Sequence, residues 1–410
     1  MKLVFLFPGQ AVNVHQLYQN LLVTDEEFTR NSIAKINASK ITHIYFEDPE
    51  FIRQYPQTAS YCIGYLYYEW FKETFAYYPS YLAGHSLGQY TAVYSADFHS
   101  FQLGLDIICQ REQVVQQTTA NIPYKGMFAV IKDRIQPHKI ENICRKLSNQ
   151  SGSFSVSIIN SDRNVVVSYT SSQPIAMKRL ELYFQAKIVP LRVDYPFHCP
   201  AMQDTADAFL PFLKKAPMPI PVISNVTARP IENNGIINSL YNHFVKPTLW
   251  KPSLYYLVNN GVQILIDVSS NHIAQDNMDA YGSNIVSVFS LQRLENIESF
   301  KKFLAESKKR RELEWAKGII REISALPNWP DSPDNEQNEL ISLIWEIKRY
   351  VDACTSKDLI AFDFSKTVIP VDRVNELLQV LDTDKRVYAD IMQANESLQH
   401  TYGLCSCVEG

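Results

Sequence analysis

Gly84-His85-Ser86-Leu87-Gly88 stands between a short apolar run, Tyr81-Leu82-Ala83, and the helix-prone Thr91-Ala92-Val93. A strand, a Gly-x-Ser-x-Gly turn and a helix in that order read as a nucleophile elbow. The turn is too tight for Cβ atoms on either side of the serine, which is why both neighbours are glycine. Glycine is scarce here, 13 of 410 residues, so two of them flanking one serine carry weight. Such a turn lifts the Ser86 hydroxyl to the mouth of a sheet. It also aims free helix N–H groups at an oxygen that turns negative when a carbonyl is attacked. A serine hydroxyl is a weak nucleophile and needs a base within hydrogen-bond reach. Of the nine histidines, His198 fits best, because it follows Val193-Asp194-Tyr195-Pro196-Phe197 at the end of a predicted strand. His85 points off the turn differently and reads as a packing residue. Arg111, beside Glu112, is by position alone a surface arginine as readily as a ligand-binding one.

These groups must be held by a scaffold that the hydrophobic pattern outlines. A strand over 3–7 delivers Phe7-Pro8-Gly9-Gln10 to one sheet end, and a largely apolar helix over 58–75 feeds the elbow strand. Helices follow over 89–95 and 101–117, the second with Leu103, Ile107, Ile108, Val114 and Val115 at helical spacing. From Gly126 the period changes. Strands over 127–131, 154–159, 164–169 and 187–193 alternate with helices over 135–147 and 175–185, and Asn160-Ser161-Asp162-Arg163 turns the central pair. That β-α-β-β-α-β order is a ferredoxin-like arrangement. Apolar runs over 222–226, 263–268 and 284–289 then rejoin a largely parallel sheet. Beyond Arg293 the texture is charged and helical, over 299–326, 336–353, 372–381 and 384–398, broken by a Pro- and Asn-rich loop at 327–335. The fold class is therefore α/β. It comprises an α/β-hydrolase-like large subdomain (1–124 and 194–292), an inserted ferredoxin-like small subdomain (125–193) and an all-α extension (293–410).

Composition narrows the partners. The chain is 46% apolar and 20% charged, as ordinary globular proteins are, and no apolar run is long enough to span a membrane. The N-terminal apolar run breaks at Pro8 and reads as a first strand, not a leader. Seven cysteines at irregular spacings make no disulfide framework and fit a reducing cytoplasm. Cys405 and Cys407 lack a second pair, so no metal is expected. A net charge of −4 argues against nucleic acid.

Taken together, residues 1–292 resemble malonyl-CoA:acyl-carrier-protein transacylases and the acyltransferase domains of polyketide synthases. The resemblance rests on Phe7-Pro8-Gly9-Gln10, Gly84-His85-Ser86-Leu87-Gly88, Arg111, Gly126-Met127, Asn160-Ser161 and Pro196-Phe197-His198 followed by Pro200 and Met202, in family order and spacing. It implies that Ser86 attacks an acyl-CoA thioester while His198 takes its proton, and that the backbone N–H groups of Gln10 and Leu87 hold the oxyanion. It implies that Arg111 grips the free carboxylate of malonyl, and that the main-chain carbonyl of His243 orients the catalytic histidine. Phe197, Tyr195, Met127 and Asn160 fall at positions that shape the acyl pocket. Leu87 and Phe197 resemble malonyl-type enzymes, whereas Tyr195 resembles the methylmalonyl pattern. The implied acceptor is the phosphopantetheine thiol of an acyl carrier protein, the implied donor a malonyl-type CoA thioester, with no bound cofactor and a monomeric enzyme.

Departures from the family pattern are Ala11 after Gln10, Gln89 where Glu is common, His243 in place of glutamine, and Ser269-Ser270-Asn271 in place of Gly-Pro-Gly. With the added helices, they point to secondary-metabolite biosynthesis instead of housekeeping fatty-acid synthesis. Two other enzyme readings use the same Ser and His. One moves a hydroxy- or amino-malonyl unit between carrier proteins, and the other hydrolyses stalled acyl chains from carriers. A hydrolase acting on monoacyl chains has no use for a buried Arg111. A third reading, a non-catalytic scaffold kept for docking, sits poorly with the presence of both Ser86 and His198. In the extension, the basic run at 308–311 is a candidate contact for an acidic carrier protein, though such a run is more often a solvated face.

Overall fold

The computed structural model describes residues 2–39, 43–269, 273–281, 286–291 and 295–307. The chain divides into two units, Met1–Glu298 and Ser299–Gly410. Within the second, residues 299–307 are described and helical. The helices read over 336–398, the basic run at 308–311 and the cysteines at 405 and 407 lie outside the described residues.

The first unit starts with β1 (Lys2–Phe7), α1 (Val14–Thr24), α2 (Glu26–Asn37), α3 (Pro49–Gln54) and α4 (Pro56–Phe75). It continues through β2 (Tyr81–Gly84), α5 (Gly88–Tyr94) and α6 (Phe98–Thr119). The small sheet and its helices follow as β3 (Tyr124–Ile131), α7 (Pro137–Leu147), β4 (Gly152–Ser161), β5 (Asn164–Ser171), α8 (Met177–Phe184) and β6 (Lys187–Pro190). The chain returns through α9 (Gln203–Phe209), β7 (Val222–Ile223), α10 (Ile236–Val245), α11 (Trp250–Asn259), β8 (Val262–Asp267), α12 (Ile273–Tyr281) and β9 (Ser287–Ser290).

The large sheet is parallel throughout, in the order β7-β2-β1-β8-β9. Its central strand is covered on both faces, so the uninterrupted apolar run from Leu3 to Phe7 is fully buried. On one face lies α4, which is apolar nearly all round and buried from Gln57 to Tyr68. Tyr68 meets both Phe5 and Phe7, with ring centroids 5.2 and 5.5 Å away. This packing fixes the height of the β1 end, and with it the loop that carries Gln10.

The small sheet is antiparallel in the order β4-β5-β3-β6, which is ferredoxin-like. Its hairpin is tighter than the sequence suggested. β4 runs on to Ser161 opposite Asn164, so Asp162 and Arg163 alone make the turn. The register slips between Val156 and Ile158 and again between Ile159 and Ser161. These bulges bend β4, an edge strand, towards the large subdomain. There Thr248 donates its N–H to Ser157 O at 2.8 Å and accepts from Ile159 N–H at 2.9 Å. A Lys251–Asp162 ion pair closes the same junction.

Two predicted strands are shorter than their apolar runs. β6 is assigned only to Pro190, although the next residue, Leu191, still donates its N–H to Met127 O at 2.9 Å. β7 stops at Ile223 because the Ser224 N–H bonds back to Arg229 O in a turn that holds Ala228 at φ +53°. Among the described residues no helix is long and apolar enough to cross a membrane.

At the elbow, a Cβ on Gly84 would lie 1.9 Å from the Gly88 carbonyl carbon, and one on Gly88 would lie 2.6 Å from Phe7 O. Both obstacles are backbone, so no rotamer change relieves them. Gly84→Ala is expected to lower stability by about 3 kcal/mol or more. Urea unfolding checks this, and an unshifted midpoint would show that the turn has room.

Candidate active site

Ser86 sits between the end of β2 and the first turn of α5 with φ at +52°, a conformation that side chains rarely adopt. The strain is held by the packed glycines on either side, and it points Oγ away from the sheet. Oγ lies 2.7 Å from His198 Nε2, and His198 Nδ1 lies 2.7 Å from the main-chain carbonyl of His243. A carbonyl can only accept, so Nδ1 carries the proton and Nε2 is the acceptor facing the serine hydroxyl. Burial above all holds the His198 imidazole down at about 3, against the pull of the His243 carbonyl and with the Arg111 charge adding to the depression. The ring is therefore neutral at ordinary pH and able to take a proton.

His198 itself has φ at +63°. The irregular segment that leads into it is clamped by contacts on each side. The Ser168 hydroxyl, from β5 of the small sheet, donates to Phe197 O at 2.6 Å, and Cys199 N–H donates to Phe244 O at 3.1 Å. The His243 ring packs edge-on against His198, with centroids 4.6 Å apart. Gln89 is fully buried and accepts from the Asn225 N–H, while Asn225 Nδ2 donates to Gly84 O at 2.7 Å. An amide at position 89 thus ties the helix after the nucleophile to the loop behind it.

Arg111, on α6, is almost completely buried. Its guanidinium carbon lies 4.6 Å from the Phe244 ring centroid, 4.8 Å from Phe197 and 5.1 Å from Tyr90. Nη1 donates to Gln57 Oε1, and Nε has no hydrogen-bond partner among the described residues. The neighbouring acid does not neutralise it directly. Glu112 accepts from Gln57 N–H at 2.7 Å and from the Thr58 hydroxyl at 2.5 Å. A buried cation surrounded by aromatic faces, with a free N–H, is built to take an anion.

A cavity of about 100 Å³ opens at Ser86, walled by Gln10, Met127, Ile158, Phe197 and Ser269 among others. Arg111 is not itself a wall of it. The Phe197 ring, which is, lies over the guanidinium. Neither Gln10 N–H nor Leu87 N–H donates to any group among the described residues, and Leu87 stands at the N-terminal cap of α5. Tyr195 is half-buried behind Phe197, with centroids 5.6 Å apart, outside the cavity wall. Asn160 is buried and accepts from His85 Nε2 at 2.8 Å instead of facing the cavity. His85 packs edge-on against Trp250, as the turn implied, but it also lines the cavity. Of the loop at 269–271, Ser269 reaches the cavity and residues 270 and 271 lie outside the described residues. Among the described residues no cluster of His, Cys, Asp and Glu is placed to hold a metal ion.

Gln57 escaped sequence reasoning altogether. The faint signal was Pro56 at the first position of a helix, which places Gln57 in a first turn. Nothing local says that this turn faces Arg111, 54 residues away.

No model of a known protein family matches the chain. Among curated proteins it is 27% identical over 323 residues to a malonyl CoA-acyl carrier protein transacylase of Bacillus subtilis, covering 73% of this chain and 80% of that one. It is 27% identical over 280 residues to the polyketide biosynthesis malonyl CoA-acyl carrier protein transacylase BaeC of Bacillus velezensis, covering 66% and 93%. Among solved structures, the malonyl CoA-acyl carrier protein transacylase of Coxiella burnetii matches with a TM-score of 0.62 at 22% identity, over 74% of this chain and 97% of that one. A malonyl-transacylase in complex with a type II PKS acyl-carrier protein matches with a TM-score of 0.61 at 19% identity, over 73% and 98%. The structural likeness establishes the fold, and the relatives are the ones that the motifs implied.

An unfolded histidine titrates near 6.5 and folded His198 near 3, so between those values the unfolded chain binds more protons. His198 therefore contributes stability that is complete above pH 6.5 and is lost as pH falls towards 3. The stability lost between pH 7 and pH 5 is expected to be smaller in His198→Gln than in the parent. Urea titrations at the two pH values measure this, and an equal loss would mean that His198 titrates normally. His243→Gln keeps the orienting carbonyl and is expected to retain kcat within about threefold, since only main chain bonds Nδ1. A hundredfold loss would assign the His243 ring a direct part.

Proposed function

We propose that this chain is an acyltransferase that moves a malonyl-type unit from a CoA thioester to the phosphopantetheine thiol of an acyl carrier protein, in polyketide or related biosynthesis. The observation that carries the reading is the buried Arg111, with no ion-pair partner among the described residues, close behind the wall of a cavity that opens on an activated serine. A guanidinium fork takes a carboxylate through two parallel hydrogen bonds, which lysine does not provide. Malonyl carries such a carboxylate at one end and a thioester at the other.

In the first half-reaction His198 Nε2 accepts the Ser86 proton as Oγ adds to the thioester carbonyl. The resulting oxyanion falls to the N–H groups of Gln10 and Leu87, a contribution of about 3–4 kcal/mol per donor where such donors are well aimed. The C–S bond breaks, CoA thiolate leaves with the proton from His198, and malonyl remains as an ester on Ser86. The carrier thiol then gives its proton to His198 and attacks the ester. The C–O bond breaks, Ser86 regains the proton, and the unit departs as a carrier thioester. One histidine serves both halves because it stays neutral between them. The Phe197 ring, on the cavity wall between Tyr195 and Arg111, supports malonyl or a small polar 2-substituted malonyl as the unit. The polyketide setting is supported by relatives such as BaeC. A hydrolase of monoacyl chains would leave Arg111 buried without its anion, at a cost of several kcal/mol.

Incubation with malonyl-CoA is expected to add one malonyl group, located at Ser86 by peptide mass spectrometry and discharged by a phosphopantetheinylated carrier protein faster than by water. Ser86→Ala is expected to abolish the adduct. Arg111→Ala is expected to lower kcat/KM for malonyl-CoA by about 100-fold or more relative to acetyl-CoA. A wild-type enzyme that prefers acetyl-CoA, or an adduct lost equally fast to water, would refute the assignment.

A further inference from the structure

Helix α4 starts without a cap of its own. Tyr55 occupies the N-cap position and its side chain makes no capping bond, while Pro56, Gln57 and Thr58 form the first turn. Free N–H groups in a first turn that is buried require an acceptor from elsewhere. Glu112 supplies it from α6. One of its carboxylate oxygens lies 2.7 Å from Gln57 N and the other lies 2.5 Å from Thr58 Oγ1. The side chain of the same Gln57 accepts from Arg111 Nη1.

The three residues thus form a closed chain: Glu112 to the α4 backbone, the Gln57 side chain to Arg111, and Arg111 back to Glu112 along α6. We infer that Glu112 is a positioning residue for donor recognition: by capping α4 it fixes Gln57, which aims Arg111, and it leaves the guanidinium free for the substrate carboxylate. Neighbours one residue apart on a helix point away from each other, so Glu112 does not turn back onto Arg111 and block the site. Here both oxygens are engaged on another helix. The negative charge still lies near enough to temper the burial of the cation, while Nε stays without a partner among the described residues. This inference rests on the reading of Arg111 as the malonyl carboxylate site.

The test is the ratio of kcat/KM for malonyl-CoA to that for acetyl-CoA, followed as acyl-enzyme formation in wild type, Glu112→Ala, Glu112→Gln and Thr58→Val. Glu112→Ala is expected to lower the ratio about tenfold, carried by a higher KM for malonyl-CoA, because the carboxylate contact is present in ground and transition states alike. Glu112→Gln keeps one acceptor for the Gln57 N–H and is expected to fall between wild type and alanine. Thr58→Val, which removes a single donor, is expected to reduce the ratio by about threefold. If Glu112→Ala does not fold, the other two variants decide. A purely structural role would reduce the active fraction for both donors and leave the ratio within twofold of wild type, which would overturn the inference while the Arg111 reading stands. A wild-type enzyme that does not distinguish the two donors would overturn both.

Discussion

Taking a guanidinium out of water is among the least favourable arrangements a fold can adopt, and Arg111 is buried with no carboxylate bonded to it among the described residues. The molecule meets the penalty in parts. The faces of Tyr90, Phe197 and Phe244 surround the cation, a single amide oxygen takes one N–H, and the nearest acid stands by with its oxygens engaged elsewhere. Each contribution comes from a different element: α5, the segment before His198, α10, α4 and α6. These elements must pack in one mutual arrangement for the charge to be tolerated at all. The same low-dielectric surroundings that make burying the cation unfavourable strengthen its attraction for any anion. Burial also pushes Glu112 up to about 6 and His198 down to about 3.

The Ser86–His198 pair lies in the large subdomain but depends on the small one. Ser86 rises from the large sheet. His198 lies just past the chain's exit from the small sheet, and a hydroxyl of that sheet, Ser168, holds the carbonyl immediately before it. The two subdomains are joined by the bulged edge of β4 and Thr248, so the position of Ile158 on the cavity wall is set by main-chain bonds. Through its bond to His85, Asn160 then supports the residue that precedes the nucleophile. A site built at such a junction needs no single rigid element. It needs the junction itself to be over-determined, and backbone pairing provides that.

The strands and helices around the elbow, the ferredoxin-like order of the small sheet and the roles open to Ser86 and His198 are legible in the amino-acid order, because each leaves a local trace. Parallel strands buried on both faces read as short apolar runs, a close backbone crossing reads as glycine, and a helix reads through its periodicity. The misread hairpin boundary has an equally local cause, a two-residue turn that kept Asn160 and Ser161 in β4. What the sequence could not disclose is which side chains meet across the fold. Gln57 and Arg111, Glu112 and the start of α4, and Asn160 and His85 are 54, 55 and 75 residues apart. No periodicity links such pairs, so their meeting is a property of packing alone. Alone, the chain determined that a serine would be presented on a strained turn with a histidine available to it. Tertiary structure decided that an arginine, equally at home on the surface, would be enclosed near them, because only the convergence of several helices can exclude water from a charge.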